Sequence, residues 1–424
     1  MEHKVSINNN SVDFSGITKD YKEAISELIW NGFDAGAKSV NLVFDANEID
    51  FISSIEIIDD GSGINLESLG QTFGSFLDSL KRGVGQRSSY IRGKKGKGRF
   101  SFIAFARSAV WDTTYLEETS GEHVSYQVNI NAANKDYYRD EGKKIGIAIE
   151  TGTHLQLSDL FGVTAYSFSS DAFIDYLKHE FGWFLLLNSK QDYKLCINGV
   201  AIDYADILAD HEIFHKELED ASASRFSFTI TFVRWNEKIG DKFYYYFLDG
   251  EKKEVFKQLT SFNNNAINFY HSVYIESEYF NNFDCIDADA SERLFGSNPQ
   301  SPIFRQLNKE LQKIVNNKQR EFIRDNSADE FIKKVELNDS IPNFGLGSED
   351  EKLSFISFLR ELYCIYPRIF KGLNEHQERF TLGLINILFT GGHHKELREF
   401  LVRQGGMDNE DYANLYSLLN NADS

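Results

Sequence analysis

Residues 27–35 read Glu-Leu-Ile-Trp-Asn-Gly-Phe-Asp-Ala, and this stretch decides how the first part of the chain is interpreted. It predicts a helix whose apolar face is formed by three aliphatic residues, Ile25, Leu28 and Ile29. Glu27, Asn31 and Asp34 stand at the helical spacing i, i+4 and i+7, so their side chains share one face. Two carboxylates and an amide oxygen are ligands that Mg²⁺ takes beside phosphates, and a glutamate there can accept a proton from water. A solvated polar stripe on an amphipathic helix is the alternative interpretation.

A second informative stretch is Asp-Asp-Gly-Ser-Gly at residues 59–63, which ends a predicted strand rich in isoleucine. The glycines allow the backbone to approach a ligand closely. An aspartate at a strand end can accept a hydrogen bond from an exocyclic amino group such as that of adenine. An ordinary Asp/Gly turn is the alternative.

The third stretch, residues 93–100, reads Gly-Lys-Lys-Gly-Lys-Gly-Arg-Phe and precedes an apolar run, 100–106, that predicts the start of a buried helix. Backbone N–H groups at a glycine-rich helix N-terminus bind phosphate. The stretch is not a P-loop, because Arg99 and Phe100 stand where Lys and Ser/Thr are required. The second stretch is not a dinucleotide fingerprint either, because Leu66 replaces its third glycine. A flexible basic loop is the alternative.

In this order, and followed by Thr153, the three stretches resemble the motifs of the GHKL ATPases. This superfamily includes gyrase B, the ninety-kilodalton heat-shock chaperones, sensor histidine kinases, MutL and the MORC proteins. Its N-box, Glu-x-x-x-Asn-x-x-Asp-Ala, matches residues 27–35. Its two glycine boxes, Asp-x-Gly-x-Gly and Gly-x-x-Gly-x-Gly, match residues 59–63 and 93–98. The likeness covers somewhat less than half of the chain and is greatest to the MORC, MutL and heat-shock branch.

The resemblance implies a role for each matching residue. Glu27 would be the general base, Asn31 the Mg²⁺ ligand and Asp59 the residue that recognises adenine. Thr153 would complete the adenine pocket, and residues 73–98 would form a mobile lid. The full set of implied ATP-binding residues is Asn31, Asp34, Ala35, Asp59, Gly61, Gly63, Gly93, Lys95, Gly96, Lys97, Gly98, Arg99, Phe100 and Thr153.

The predicted fold class is α+β. Residues 1–165 are expected to form a Bergerat ATP-binding α/β sandwich, with a mostly antiparallel sheet and helices on one face. Its predicted strands cover residues 40–44, 55–58, 109–115, 125–130, 145–149 and 154–157.

Residues 166–300 predict a second, transducer-like α+β domain. It is expected to contain helices at 171–187 and 251–259, strands at 226–235, 243–247 and 271–275, and a hairpin at Asn198-Gly199. Ser301-Pro302 is a helix start signal for a long helical segment, 301–340. Residues 338–350 predict a linker, and residues 351–424 a helical bundle.

In the MutL, gyrase and heat-shock members, the transducer domain sends a basic residue to the γ-phosphate. Arg234, Lys238 and Lys257 are the candidates here, and no motif decides among them. His271 lies between aromatic residues and is interpreted as a hydrogen-bonded core residue.

Composition limits the classes of function. The 424-residue chain has a formal net charge of −19, which argues against nucleic-acid binding over the whole surface. Its three cysteines are far apart in sequence and predict free thiols in a reducing cytoplasm. A signal peptide is not expected, and no apolar run is long enough to span a bilayer.

Together, these features predict an ATP-binding and hydrolysing conformational switch with slow, Mg²⁺-dependent turnover. The resemblance implies an ATP-dependent homodimer that clamps a protein effector or DNA, with a chaperone-like action and a role in stress or antiviral (phage) defence. One alternative is a non-hydrolysing, nucleotide-gated scaffold. A histidine-kinase-type phosphotransfer protein is disfavoured, because only His3 precedes the ATP-binding motifs.

Overall fold

The computed structural model describes residues 2–4, 18–73, 98–134, 137–220, 223–240, 242–260, 268–283, 297–344, 349–391 and 393–405. The chain divides into two compact units. Unit 1 comprises Met1–Glu217, Phe226–Gln258 and His271–Glu292, and unit 2 comprises Leu218–Arg225, Leu259–Tyr270 and Arg293–Ser424.

Unit 1 contains a nine-stranded sheet in the order β1-β6-β5-β4-β7-β3-β2-β8-β9. Its strands are β1 Glu2–Lys4, β2 Ser39–Ala46, β3 Ile52–Asp59, β4 Ala106–Leu116, β5 His123–Asn131, β6 Tyr137–Ile145, β7 Gly152–Leu160, β8 Lys194–Ile197 and β9 Val200–Ala201. Neighbouring strands are antiparallel except β2 and β8, which are parallel. The β2–β8 pairing places residues 194–201 in the same sheet as the predicted ATP-binding segment.

In the described residues of unit 1 the α-helices are α1 Tyr21–Asp34, α2 Leu69–Thr72, α3 Ala165–Ser169 and α4 Asp171–Leu187. Helix α1 begins where the Asp20 carboxylate accepts a hydrogen bond from Lys22 N at 2.9 Å, an N-cap. Its apolar side, which includes Ile25 and Ile29, is fully buried. The indole of Trp30 donates to Glu180 of α4 at 2.8 Å, so α1 and α4 are held together beside the sheet.

A second, five-stranded sheet has the order β10-β11-β14-β12-β13. Its strands are β10 Leu208–Glu219, β11 Arg225–Trp235, β12 Tyr244–Leu248, β13 Glu254–Leu259 and β14 His271–Glu276. His271 is fully buried between the rings of Phe232 and Phe243, as expected for a core residue.

Three local predictions were wrong. Residues 251–259 are not helical, because the chain reverses after β12 and pairs as β13. Residues 145–149 are not a strand: β6 ends at Ile145, Gly146 has a φ of +69°, and Ile147 and Ile149 are 73% and 86% exposed. Residues 100–106 start no long helix, because a short 3₁₀ helix, Gly98–Ala104, leads directly into β4.

Unit 2 is mainly helical, with α5 Pro302–Asn326, α6 Ala328–Leu337, α7 Glu349–Ile365, α8 Glu375–Thr390 and α9 His394–Gly405. The predicted start of α5 is confirmed, since the Ser301 hydroxyl accepts from Phe304 N at 3.2 Å and Pro302 is the first helical residue. Buried Glu378 joins α6 to α8 by accepting from Lys334 at 2.6 Å, and Ser340 donates to it at 2.9 Å. None of the helices in the described ranges is long and apolar enough to cross a membrane.

Candidate functional site

The polar face of α1 borders a cavity of about 260 Å³ in unit 1. Glu27, Asn31 and Asp34 all line it, as their i, i+4, i+7 spacing predicted. One wall is aromatic and consists of Trp30 and Phe33 of α1, Trp183 and Phe184 of α4, and Tyr193. Another wall is the turn between β12 and β13, from Glu251 to Glu254. The cavity therefore brings two carboxylates and an amide oxygen next to lysines from a distant part of the chain.

The Asp59 carboxylate lies at the end of β3, close to the C-terminus of α1. Its Oδ1 accepts from Gly61 N at 2.9 Å, and Thr153 N–H also donates to the carboxylate. Ser62 N donates to Ala35 O at 2.9 Å, which ties the glycine turn to the end of α1. Burial raises the pKa of Asp59 to about 6, although the Gly61 and Thr153 hydrogen bonds oppose the shift.

Thr113 on β4 is a polar residue of this site that the sequence did not single out. It is buried, and its hydroxyl accepts from Ile64 N at 2.9 Å. The same oxygen lies 3.2 Å from Thr153 Oγ1 and 3.3 Å from Gly152 O. Thr113 thus joins the Asp59 turn to the start of β7, beside the threonine that was expected to complete a base pocket. A threonine inside an alternating strand carries no local signal that distinguishes it from any other.

Two glycines are required by this arrangement. Gly63 has a φ of +72°, and a Cβ atom there would lie 2.0 Å from Thr114 O. Gly152 has a φ of +151°, and its Cβ atom would lie 2.4 Å from Asp59 O. Both obstacles are backbone atoms, which cannot move aside as a flexible side chain can.

Gly63→Ala and Gly152→Ala are therefore each expected to lower the free energy of unfolding by about 3 kcal/mol or more, because strain and overlap add. Gly121→Ala is the matched control, since its φ is +70° but a Cβ atom would meet nothing within 4 Å. The control is expected to cost about 1–2 kcal/mol from backbone conformation alone. Urea unfolding measures all three, and equal losses for Gly63→Ala and Gly121→Ala would contradict the proposed close approach.

The predicted phosphate-binding stretch is only partly described. Gly93, Lys95, Gly96 and Lys97, like residues 74–97 of the predicted lid, lie outside the described residues. Gly98 begins the 3₁₀ helix, whose Ser101 hydroxyl donates to Ala24 O of α1 at 3.0 Å. Phe100 is buried, and the Arg99 guanidinium lies 5.6 Å from the Phe73 ring and 5.9 Å from the Phe100 ring. Burial lowers the pKa of Arg99 to about 10, so the side chain stays charged at neutral pH.

The three candidate γ-phosphate sensors do not line the cavity. Arg234 lies on β11, Lys238 follows that strand, and Lys257 lies on β13 with its ammonium 4.8 Å from the centre of the Tyr244 ring. The cavity-lining lysines of the described chain are Lys252 and Lys253, in the turn after β12. Neither lysine was among the predicted candidates, because no sequence motif marks the position of the γ-phosphate sensor.

The charges around Lys253 connect this turn to α1. Its ammonium donates a short hydrogen bond to Glu251. The pKa of Lys253 is raised, chiefly by that hydrogen bond, with smaller contributions from the charges of Asp249 and Asp34. The Asp34 carboxylate of α1 therefore lies within electrostatic range of Lys253.

The raised pKa of Asp59 predicts how stability depends on pH without nucleotide. The usual carboxyl pKa is 3.8 and the folded value is about 6, so the folded protein binds this proton more tightly. The contribution of Asp59 to the free energy of unfolding therefore falls as pH rises from 3.8 through 6. Between pH 5 and pH 7 the loss is about 1 kcal/mol. Urea unfolding of wild type and Asp59→Asn at both pH values measures it as the difference between their pH dependences. Identical dependences would show that Asp59 is not perturbed.

Comparison with known proteins finds a family model that matches the first part of unit 1. Residues 19–151 match the family model described as histidine kinase-, DNA gyrase B- and HSP90-like ATPase. The chain is 26% identical over 138 residues to the DNA mismatch repair protein MutL of Clostridium acetobutylicum. That match covers 32% of this chain and 20% of the relative, so the chain spans about a fifth of the length of the curated protein that it matches.

Matches among solved structures include the ATPase domain of the mismatch repair endonuclease MutL from Aquifex aeolicus. Its TM-score is 0.35, with 12% identity over 69% of this chain and 97% of that chain. The N-terminal domain of a DNA repair protein has a TM-score of 0.39 and 14% identity, over 74% and 99% of the two chains. The ATPase region of Saccharomyces cerevisiae topoisomerase II has a TM-score of 0.34 and 12% identity, over 61% and 72%.

The family match spans all three stretches that suggested the resemblance. It includes residues 27–35, 59–63 and 93–98, and ends just before Thr153. It confirms the predicted relationship to the GHKL ATPases. The two sheets with their associated helices, followed by α5 to α9, confirm the predicted α+β class with a C-terminal helical region.

Proposed function

We propose that this chain, whose residues 19–151 match the model of the GHKL ATPases, is an ATP-driven conformational switch that closes as a homodimer on a partner. One observation carries the proposal: the C-terminal end of α1, which bears Asn31 and Asp34, is joined directly to the Asp59 turn. Ser62 N donates to Ala35 O at 2.9 Å, and a Cβ atom on Gly32 would lie 3.1 Å from Asp59 Cβ. The carboxylate proposed to recognise the base and the helix proposed to bind the metal are thus in direct contact.

The Asp59 turn suits the adenine of ATP, and the polar face of α1 suits its phosphates and their Mg²⁺. Asp59, when ionised, accepts a hydrogen bond from the adenine amino group. Thr153 lies beside it, since its N–H donates to the Asp59 carboxylate, and Thr113 Oγ1 is 3.2 Å from Thr153 Oγ1. Asn31 offers an amide oxygen to Mg²⁺, and Asp34 adds negative charge on the same face. Bound Mg²⁺ would offset the charge of the phosphate oxygens. Glu27 accepts the proton of the attacking water, and its half-buried position on α1 favours a well-oriented carboxylate.

The basic residue that responds to the γ-phosphate is proposed to be Lys253. It borders the same cavity as Glu27 and Asn31, whereas Arg234, Lys238 and Lys257 do not. Its side chain is 57% exposed and its partner Glu251 is 75% exposed. Exposed ion pairs contribute little free energy. Lys253 can therefore leave Glu251 and bind a phosphate oxygen at a small cost in free energy.

The partner is proposed to be a protein or DNA. The Clostridium acetobutylicum relative is by name a DNA mismatch repair protein, which favours testing DNA first. The net charge of −19 restricts any DNA contact to a local basic surface. A role in stress or phage defence is part of the same proposal and rests on the family resemblance alone.

The proposal is tested by measuring ATP turnover together with oligomeric state. Wild-type protein is expected to release phosphate slowly from Mg-ATP and to form dimers with a non-hydrolysable ATP analogue. Sizing by light scattering with no nucleotide, with ADP and with the analogue shows whether dimers form only in the last state. ATP binding without turnover and without dimers would favour a nucleotide-gated scaffold instead.

A further inference from the structure

We infer that Lys252 is a positioning residue, which fastens the turn between β12 and β13 to the end of α4 and thereby holds Lys253 opposite the polar face of α1. The inference rests on the proposed function, because it assigns Lys252 a part in the same ATP cycle. Lys252 and Lys253 are adjacent in sequence but have different surroundings. One is fixed by hydrogen bonds to the protein interior, and the other pairs only at the surface.

The Lys252 side chain is anchored at the C-terminus of α4. Its Nζ donates to Leu187 O at 2.8 Å and to Asn188 Oδ1 at 3.1 Å, and lies 3.9 Å from the Glu276 carboxylate. Asn188 is buried, and its own Nδ2 donates to Phe184 O at 2.9 Å. The last carbonyls of a helix lack partners within the helix and carry partial negative charge, so an ammonium group is a fitting cap.

The backbone of Lys252 supports a role for its side chain. Its φ is +61°, in the left-handed region that disfavours residues with a Cβ atom. Eight non-glycine residues of the described chain have positive φ, and six of them are Asp or Asn, which tolerate this region. Lys252 is the last residue of a three-residue hairpin loop, and glycine is the usual residue there because the position requires a positive φ. A lysine there suggests that the hydrogen bonds of its ammonium group outweigh the cost to the backbone.

The rest of the turn is pinned as well. The Asp249 carboxylate accepts from the backbone N–H groups of Glu251 and Lys253, each at 2.9 Å. Gly250 N donates to Asn281 Oδ1 at 2.9 Å. These bonds shape the turn, and the Lys252 side chain ties it to the α4 end that borders the cavity. Loss of that tie should therefore move Lys253 relative to α1 without unfolding the five-stranded sheet.

The test compares Lys252→Gly, Lys252→Met and Lys252→Arg, with Lys190→Met as the matched surface control. Lys252→Gly removes the ammonium but relieves the backbone, so its thermal midpoint should stay within a few degrees of wild type. Its kcat for ATP should fall about tenfold, since small displacements of positioning groups have effects of this size, while ATP affinity changes less than threefold. Lys252→Met should show the same loss of rate but a lower thermal midpoint, because it keeps the left-handed backbone without the ammonium group. Lys252→Arg should recover part of the rate, and Lys190→Met should match wild type.

A double-variant cycle separates positioning from a merely structural role. If Lys252 acts through Lys253, Lys252→Gly with Lys253→Met should be no slower than Lys253→Met alone. Multiplicative losses in the double variant, or a normal kcat in Lys252→Gly, would overturn the inference. So would a Lys253→Met variant that turns over ATP at the wild-type rate.

Amide hydrogen exchange without nucleotide tests whether the Lys252 side chain holds the turn, and this test does not depend on ATP turnover. The amides of residues 250–253 should exchange at least tenfold faster in Lys252→Gly than in wild type. Unchanged exchange would overturn the inference even if the rates had fallen. A wild-type protein without ATPase activity would instead refute the proposed function, and the exchange data would still show whether Lys252 holds the turn.

Discussion

Glu27→Ala is expected to keep ATP affinity within a few-fold of wild type while losing ATP hydrolysis by roughly a hundredfold or more. A general base contributes little to ground-state binding but typically 10²–10⁴-fold to the rate. If two protomers close on ATP and reopen after hydrolysis, the variant should accumulate as an ATP-bound dimer. Phosphate release, nucleotide binding by calorimetry, and sizing with Mg-ATP measure the three effects.

The matched control is Glu23→Ala. Glu23 stands one turn earlier on α1 and is exposed, so it tests the same substitution outside the cavity. It should hydrolyse ATP and open at the wild-type rate. A Glu27→Ala protein that binds ATP yet remains monomeric would refute the clamp. Undiminished hydrolysis in Glu27→Ala would remove its assignment as the base.

The parts of the site formed by local interactions could be predicted from sequence. The face shared by Glu27, Asn31 and Asp34 follows from helical geometry, which the Asp20 cap and the buried side of α1 reinforce. The hairpin at Asn198-Gly199 also follows from local preference, since both residues have the positive φ of a tight turn, +48° and +79°. In both cases, residues that are close in sequence determine the local structure.

The parts that depend on distant contacts could not be predicted. Thr113 matters because β4 lies beside β7, a pairing that no motif encodes. Residues 251–259 contain good helix formers, but an Asx-type turn at Asp249 and pairing with β12 make them a strand. Residues 194–201 join the first sheet through a parallel pairing with β2. Lys252 and Lys253 reach the cavity through the turn after β12, so the basic side of the cavity emerged only from the structure.

Asn31→Ala is expected to weaken Mg²⁺-dependent ATP binding strongly, because the Asn31 amide oxygen is the proposed metal ligand. Without the metal, the carboxylates of Glu27 and Asp34 would repel the phosphates. Loss of one ligand from a site that uses few protein ligands should weaken Mg-ATP affinity by at least 10–100-fold. Isothermal calorimetry with and without Mg²⁺ measures the effect. Asn317→Ala, at an exposed position of α5 in unit 2, is the control and should bind as wild type does.

Asn31→Asp distinguishes metal binding from a shape requirement at this position. A carboxylate keeps an oxygen ligand for the metal while adding charge, so Asn31→Asp should bind Mg-ATP better than Asn31→Ala but bind metal-free ATP less well than wild type. Because Asn31 lies between Glu27 and Asp34 on one helical face, the added charge acts on the same phosphates that they approach. If Asn31→Ala bound Mg-ATP with unchanged affinity, the metal would have to lie elsewhere, and the role proposed for this face of α1 would fail with it.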